Sequence, residues 1–176
     1  MSKVHPANDR TSPGVCQKGF SLIELMVVIA VVALFASIAY PAFTGIVNAN
    51  RLGSQADEVV ASLQFARGEA IRRNARVSVC GSANGTTCGG AWTNVLTVVE
   101  ADGTVLRSLD VKAPVQMSSA AGRITYRADG LAATAVNTTV TVCMPTTRPA
   151  ENQRRISLAS VARIAVARAN GSGACP

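Results

Sequence analysis

Aromatic side chains are scarce in this chain, with one Trp, two Tyr and four Phe among 176 residues. That argues against an aromatic binding cleft, and the plentiful Ala, Val and Thr suit strands around a lean aliphatic core. Histidine is scarcer still: His5 stands alone, near the N-terminus. Beyond it there is no imidazole for a Ser-His or Cys-His nucleophile pair, or for a zinc site that needs one. Acids are few as well, ten against 17 Lys and Arg, giving a formal charge of +7. The cysteines lack Cys-x-x-Cys spacing, and the glycine-rich stretch from Gly81 to Gly90 contains no Gly-Lys-Ser or Gly-Lys-Thr. A metal ribbon and a phosphate-binding loop are both disfavoured. These absences leave little for an enzyme, since the acids are scattered and no nucleophile motif is present.

One stretch of the chain lacks charge altogether. From Leu25 to Tyr40 every residue is uncharged, and Phe20 to Ile23 extend the apolar segment. The total reaches the roughly 20 residues that a bilayer-spanning helix requires. Only Glu24 interrupts it, and a carboxylate inside a membrane helix is costly enough to call for a specific partner. Ahead of the segment lie Lys3, His5, Arg10 and Lys18 against Asp9. This basic end should remain cytoplasmic, with the C-terminal body across the membrane.

The run Gly19-Phe20-Ser21-Leu22-Ile23-Glu24-Leu25 resembles the processing motif of type IV pilins and type II secretion pseudopilins. The resemblance implies that a membrane prepilin peptidase cuts after Gly19 and N-methylates Phe20. It also implies that Glu24 meets the terminal amine of a neighbouring subunit during assembly. An ordinary secretory signal, cut near Ser37-Ile38-Ala39, would have an apolar core of about 7 to 15 residues without an internal acid, and a shorter leader. A lipoprotein anchor at Cys16 lacks a preceding apolar run, and a plain one-pass anchor accounts for neither Glu24 nor Gly19-Phe20. Removal of residues 1–19 would leave a body of charge about +5, without histidine.

Past Pro41, which lacks an amide proton and is expected to kink the helix without ending it, helical spacing resumes. Leu52, Ala56, Val59, Val60, Leu63, Ala66, Ala70 and Ile71 recur every three or four residues, opposite Arg51, Gln55, Asp57, Glu58, Arg67, Arg72 and Arg73. The spacing predicts an amphipathic helix to about Arg73, with its apolar face against a sheet. The period then changes to two. Strands are expected at Arg76 to Cys80, Asn94 to Glu100, Val105 to Val111, Arg123 to Arg127, Thr138 to Cys143, Arg155 to Leu158 and Arg163 to Ala167. Asp102-Gly103 and Asp129-Gly130 read as turns rather than catalytic acids. One long helix followed by short strands is an α+β protein. The resemblance implies the type IV pilin-like form, a long N-terminal helix packed on an antiparallel β-sheet domain.

Beyond the leader, the body holds Cys80, Cys88, Cys143 and Cys175. An even number in a translocated domain implies disulfides, and four cysteines allow three pairings. Cys80 with Cys88, closing a short glycine-rich loop, and Cys143 with Cys175, pinning the tail, is the favoured set. Residues Leu63 to Asn74, then Val77 to Cys80 and the loop to Cys88, resemble the GspH/FimT family of minor pilins and pseudopilins, including FimU-like members. The residues after Trp92 depart from the family pattern. In competence pilins of the FimT kind a Gly-Arg-x-Arg motif near the C-terminus contributes to DNA binding, whereas this chain has Ala162-Arg163-Ile164-Ala165. Arg148, Arg154, Arg155, Arg163 and Arg168 remain candidate phosphate contacts.

The domain organisation expected is a leader over residues 1–19, a membrane and assembly helix over 20–47, and a globular α+β domain over 48–176. The expected function is that of a minor pilin assembling into, priming or capping a type IV pilus. A tip pseudopilin of type II secretion and a DNA-binding minor pilin for natural transformation are the alternatives. The implied partners are the prepilin peptidase, other major and minor pilins or pseudopilins, the inner membrane and, for the last alternative, DNA. No cofactor or metal is implied. The expected location is the bacterial inner membrane, single-pass with a periplasmic body, and then the filament.

Overall fold

The computed structural model describes residues 19–133, 138–159 and 162–176, without the side chains of residues 41 and 42. The leader residues up to Lys18, with His5 and Cys16, lie outside the described residues. The chain forms two compact units, Met1–Ala39 and Tyr40–Pro176. A single helix, α1 (Leu22–Arg73), belongs to both and passes Pro41 without ending. In the first unit every described residue of α1 is exposed.

In the second unit α1 buries Leu52, Ala56, Val59, Leu63, Ala66 and Ala70, one stripe at helical spacing. Two expectations for this helix are corrected. Ile71 is 53% exposed and lies over the turn at Gly130 rather than in the core. Gln55 is buried despite its place among the charged residues. Its Nε2 donates to Glu58 and its Oε1 accepts the Lys112 amide at 3.0 Å. A tertiary partner, invisible to periodicity, offsets the cost of burying the amide.

Eight strands follow: β1 (Val77–Ser82), β2 (Asn94–Val99), β3 (Val105–Asp110), β4 (Gln116–Ser119), β5 (Arg123–Tyr126), β6 (Thr138–Cys143), β7 (Gln153–Leu158) and β8 (Ile164–Ala169). They form two four-stranded antiparallel sheets, β3-β2-β1-β5 and β4-β6-β7-β8, rather than one. β4 is a strand the sequence pattern did not indicate, since Gln116-Met117-Ser118-Ser119 shows no apolar alternation. β8 begins at Ile164, so Arg163 precedes it.

In the first sheet β1 and β2 are buried on both faces. Val77, Val79, Val95 and Val99 join the α1 stripe in the main core, together with Val140, Val142, Ile156 and Leu158 of the second sheet. Alternate residues Cys80, Leu96 and Val98 form a smaller outer core with Cys88. Double-sided burial explains why Val95 to Val99 reads as a continuous apolar run broken only by Thr97. Trp92 is buried over Gly81, where any Cβ would stand 2.9 Å from the indole ring. Between β2 and β3, Gly103 takes the left-handed φ of 73° that the tight turn requires. The Asp102 carboxylate accepts the Thr104 amide at 3.0 Å.

Candidate functional site

Two places carry the residues singled out by sequence, the start of α1 and the C-terminal arginines. At the first, Gly19 is exposed, and a Cβ added there would meet nothing within 4 Å. The fold therefore makes no demand for glycine at this position. Phe20 is 79% exposed. Ser21 caps the helix: its hydroxyl accepts the Glu24 amide at 3.2 Å, and its carbonyl accepts the Leu25 amide at 3.2 Å. Glu24 thus stands in the first turn, where a carboxylate complements the partial positive charge of the helix start. The Ser-x-x-Glu spacing of a capping box was the signal that could have singled out Ser21 beforehand. After Glu24, no charged residue occurs until Arg51. α1 is long and apolar enough to cross a membrane.

The arginines are divided. Arg154 of β7 is 8% exposed, and its Nη1 donates to the carbonyls of Glu151 and Gln153 at 3.0 and 3.1 Å. Burial, and next the Arg168 charge, lowers its pKa from the usual arginine value. Arg168 lies directly opposite it on β8 and reaches the Glu151 carboxylate at 3.7 Å. Strand alternation places Arg155 on the other face of the sheet, where it donates to Gln153 at 3.3 Å. Arg163 is exposed in the turn before β8, its carbonyl accepting the Ala159 amide at 3.0 Å. Arg148 is exposed, and its carbonyl accepts from Asn48 of α1 at 3.0 Å. Only Arg154 and Arg168 share a face. Ala165, on β8 after Arg163, points away from both of them, as alternation requires.

Disulfides join Cys80 to Cys88 and Cys143 to Cys175, each with Cα atoms 5.6 Å apart. The tail has a second fastening that sequence reasoning missed. Asn152, fully buried, donates to the carbonyls of Met144 and Ala174 at 2.9 and 3.1 Å and accepts the Gly171 amide at 2.7 Å. Gln153 also donates to the Ala174 carbonyl, at 3.1 Å. No sequence signal marks either residue, because their partners come from distant backbone.

On the first sheet, Glu100 accepts from Ser78, Thr125 and Arg123 at 2.5, 2.9 and 3.3 Å. Burial alone would raise its pKa, but these donors outweigh it and the pKa is lowered. The arrangement ties β1, β5 and the end of β2 together.

An apolar helix start behind an exposed Gly-Phe, continued as a core helix against antiparallel sheets, defines a pilin-like subunit. Residues 55–162 match the family described as Type II transport protein GspH, and residues 15–40 match the prokaryotic N-terminal methylation motif. The chain belongs to the GspH family. Two crystal structures of the type IV minor pilin FimU of Pseudomonas aeruginosa strain PAO1 are similar, at 24% and 22% identity with TM-scores of 0.55 and 0.53. They cover 72% and 70% of this chain and 93% and 96% of their own. The minor pseudopilin EpsH from the type 2 secretion system of Vibrio cholerae is similar at 12% identity and a TM-score of 0.52, over 67% of this chain and 97% of its own. At such identities the likeness is one of fold. A comparison with curated proteins gave no match. The chain is a pilin or pseudopilin of the GspH family with an N-terminal methylation motif, a structural subunit and not an enzyme, and it shares its fold with type IV minor pilins and a type II secretion minor pseudopilin.

Proposed function

We propose that this chain is a minor pilin that primes or caps a type IV pilus. The prepilin peptidase removes residues 1–19 and methylates Phe20, and the body then stands on the periplasmic side of the inner membrane. The observation that carries this reading is the uncovered start of α1. Gly19 has no role in the fold, and Glu24 is the only charge in the exposed apolar part of α1 before Arg51, so both residues find their reason outside the described fold. Glu24 pairs with the terminal amine of a neighbouring subunit as the helix packs into the filament. The solved FimU structures support the pilus assignment, while the description of the matching family favours the secretion pseudopilus as the second reading. DNA uptake is the weaker reading, because the five arginines do not form one surface.

The test follows processing and incorporation separately, by immunoblot of membranes and of sheared filaments. Gly19→Val is expected to block cleavage, since a side chain would intrude on the peptidase's approach to the backbone. Glu24→Val is expected to be cleaved normally and to be lost from filaments. Normal incorporation of the Glu24 variant would leave this reading without its central contact. Incorporation into pili or into the secretion filament separates the first two readings.

A further inference from the structure

Between α1 and the second sheet runs a groove of about 490 Å³, walled on one side by Ala49, Gly53 and Asp57 and on the other by Arg154, Val166 and Arg168. Its floor holds an arginine with incomplete neutralisation. Both hydrogen bonds of Arg154 leave from Nη1 and end on carbonyls. Among the described residues its Nε and Nη2 have no hydrogen-bond partner, and no carboxylate lies within ion-pair distance of it. The residue keeps only 8% of its surface exposed, yet its Nε and Nη2 are not sealed from solvent, and a guanidinium edge left open in this way can take a carboxylate or phosphate. Arg168, directly across the strand pair, adds a second positive charge where like charges destabilise each other. The lowered pKa of Arg154 fits the same picture of a cation short of negative charge.

The acids nearby do not fill this need. Glu151 reaches Arg168 only at 3.7 Å. Asp57 forms no ion pair among the described residues. With Asp57 on the opposite wall, the groove suits a single carboxylate better than a polyanion.

Two further features describe the occupant. β8 is the last strand of its sheet, so its outer backbone edge is unpaired among the described residues and open to strand addition. Val166, 48% exposed, lines the groove beside Arg154 and Arg168, offering an aliphatic contact to the methylenes of an acidic side chain.

We propose that this groove docks an extended segment of a partner subunit, which pairs along β8 and places one Asp or Glu carboxylate against Arg154 and Arg168. A nucleic acid fits less well, because a duplex backbone engages several exposed cations along one face. Here Arg155 points to the other face, and Arg154 is recessed. That the partner is another filament subunit rests on the function proposed above; the carboxylate site itself does not.

The test uses the full chain in detergent micelles and a fluorescent peptide of alternating Val and Thr with one central Glu, beside its Gln twin. The Glu peptide is expected to bind about tenfold more tightly than the twin, the scale of one charge-assisted hydrogen-bonded pair. Arg168→Gln, at the exposed rim where folding is not at risk, and Arg154→Lys should each remove most of that difference. Arg155→Gln should leave it unchanged. Equal affinity for the two peptides would overturn the proposal, as would equally effective competition by inorganic phosphate at the same concentration. Tighter binding of a DNA duplex than of the Glu peptide, lost in Arg168→Gln, would assign the groove to nucleic acid instead. A soluble peptide reads the groove alone, so a failure here is distinct from a failure of the chain to enter filaments.

Discussion

Between Leu22 and Ala39, α1 exposes Leu22, Leu25, Val28, Val32 and Phe35; between Leu52 and Ala70 its apolar residues at helical spacing are buried against two sheets. Both segments belong to one helix, yet among the described residues only the second finds a partner. Burying a Val or Leu side chain contributes about 1.5 to 3 kcal/mol, so the second half is a main source of stability for the body. The first half contributes nothing of this kind until lipid or another subunit covers it. The difference separates folding from assembly along a single helix, and it can be attacked from either side.

The largest expected effect lies in the core. Leu63→Ala should destabilise the body by about 2 to 5 kcal/mol, read by urea unfolding in detergent, whereas Leu34→Ala in the exposed half should leave that transition in place. Equal losses would erase the distinction between the halves.

Next comes the tail. Cys143 and Cys175 are 32 residues apart, and closing such a loop contributes about 3 to 4 kcal/mol in the chain-entropy model. Cys175→Ser should lower stability on that scale. Asn152→Ala, which strands buried backbone groups with the disulfide intact, should cost about 1 to 3 kcal/mol. The two fastenings are expected to be partly redundant, so the double variant should show hydrogen exchange across residues 171–175 faster than either single one.

The smallest effect is a pH dependence on α1. Hydrogen bonds from Arg72, and then Arg73, hold the Glu69 carboxyl down from 4.5 to about 2. A depressed folded-state pKa gives stability that is present above the unfolded value and lost as pH falls through the folded one. Acid unfolding of Glu69→Gln should therefore flatten modestly between pH 4.5 and 2, and an unchanged acid limb would show that these surface pairs contribute nothing.

Sequence reading succeeded where a residue's environment follows from its neighbours in the chain. The stripe from Leu52 to Ala70, the Asp102-Gly103 turn and the apolar helix behind Gly19 are local patterns with one physical outcome. It failed where a side chain answers to distant backbone. Gln55 looks like a surface residue until the Lys112 amide arrives, and Asn152 is ordinary until the tail closes over it. The arginines were legible as charges but not as a surface, because which of them share a face depends on the β7 and β8 register. Among the residues at the helix start, Ser21 was readable from its spacing to Glu24 and needed only the capping rule.

The central claim is that the first half of α1 becomes an assembly element once Phe20 is its first residue. The most direct measurement is the mass of the N-terminal peptide of the chain recovered from membranes and filaments of cells that express the prepilin peptidase. The account predicts a peptide beginning at Phe20 and carrying one added methyl group. A chain beginning at Tyr40, or retaining Met1 in assembled filaments, would contradict it.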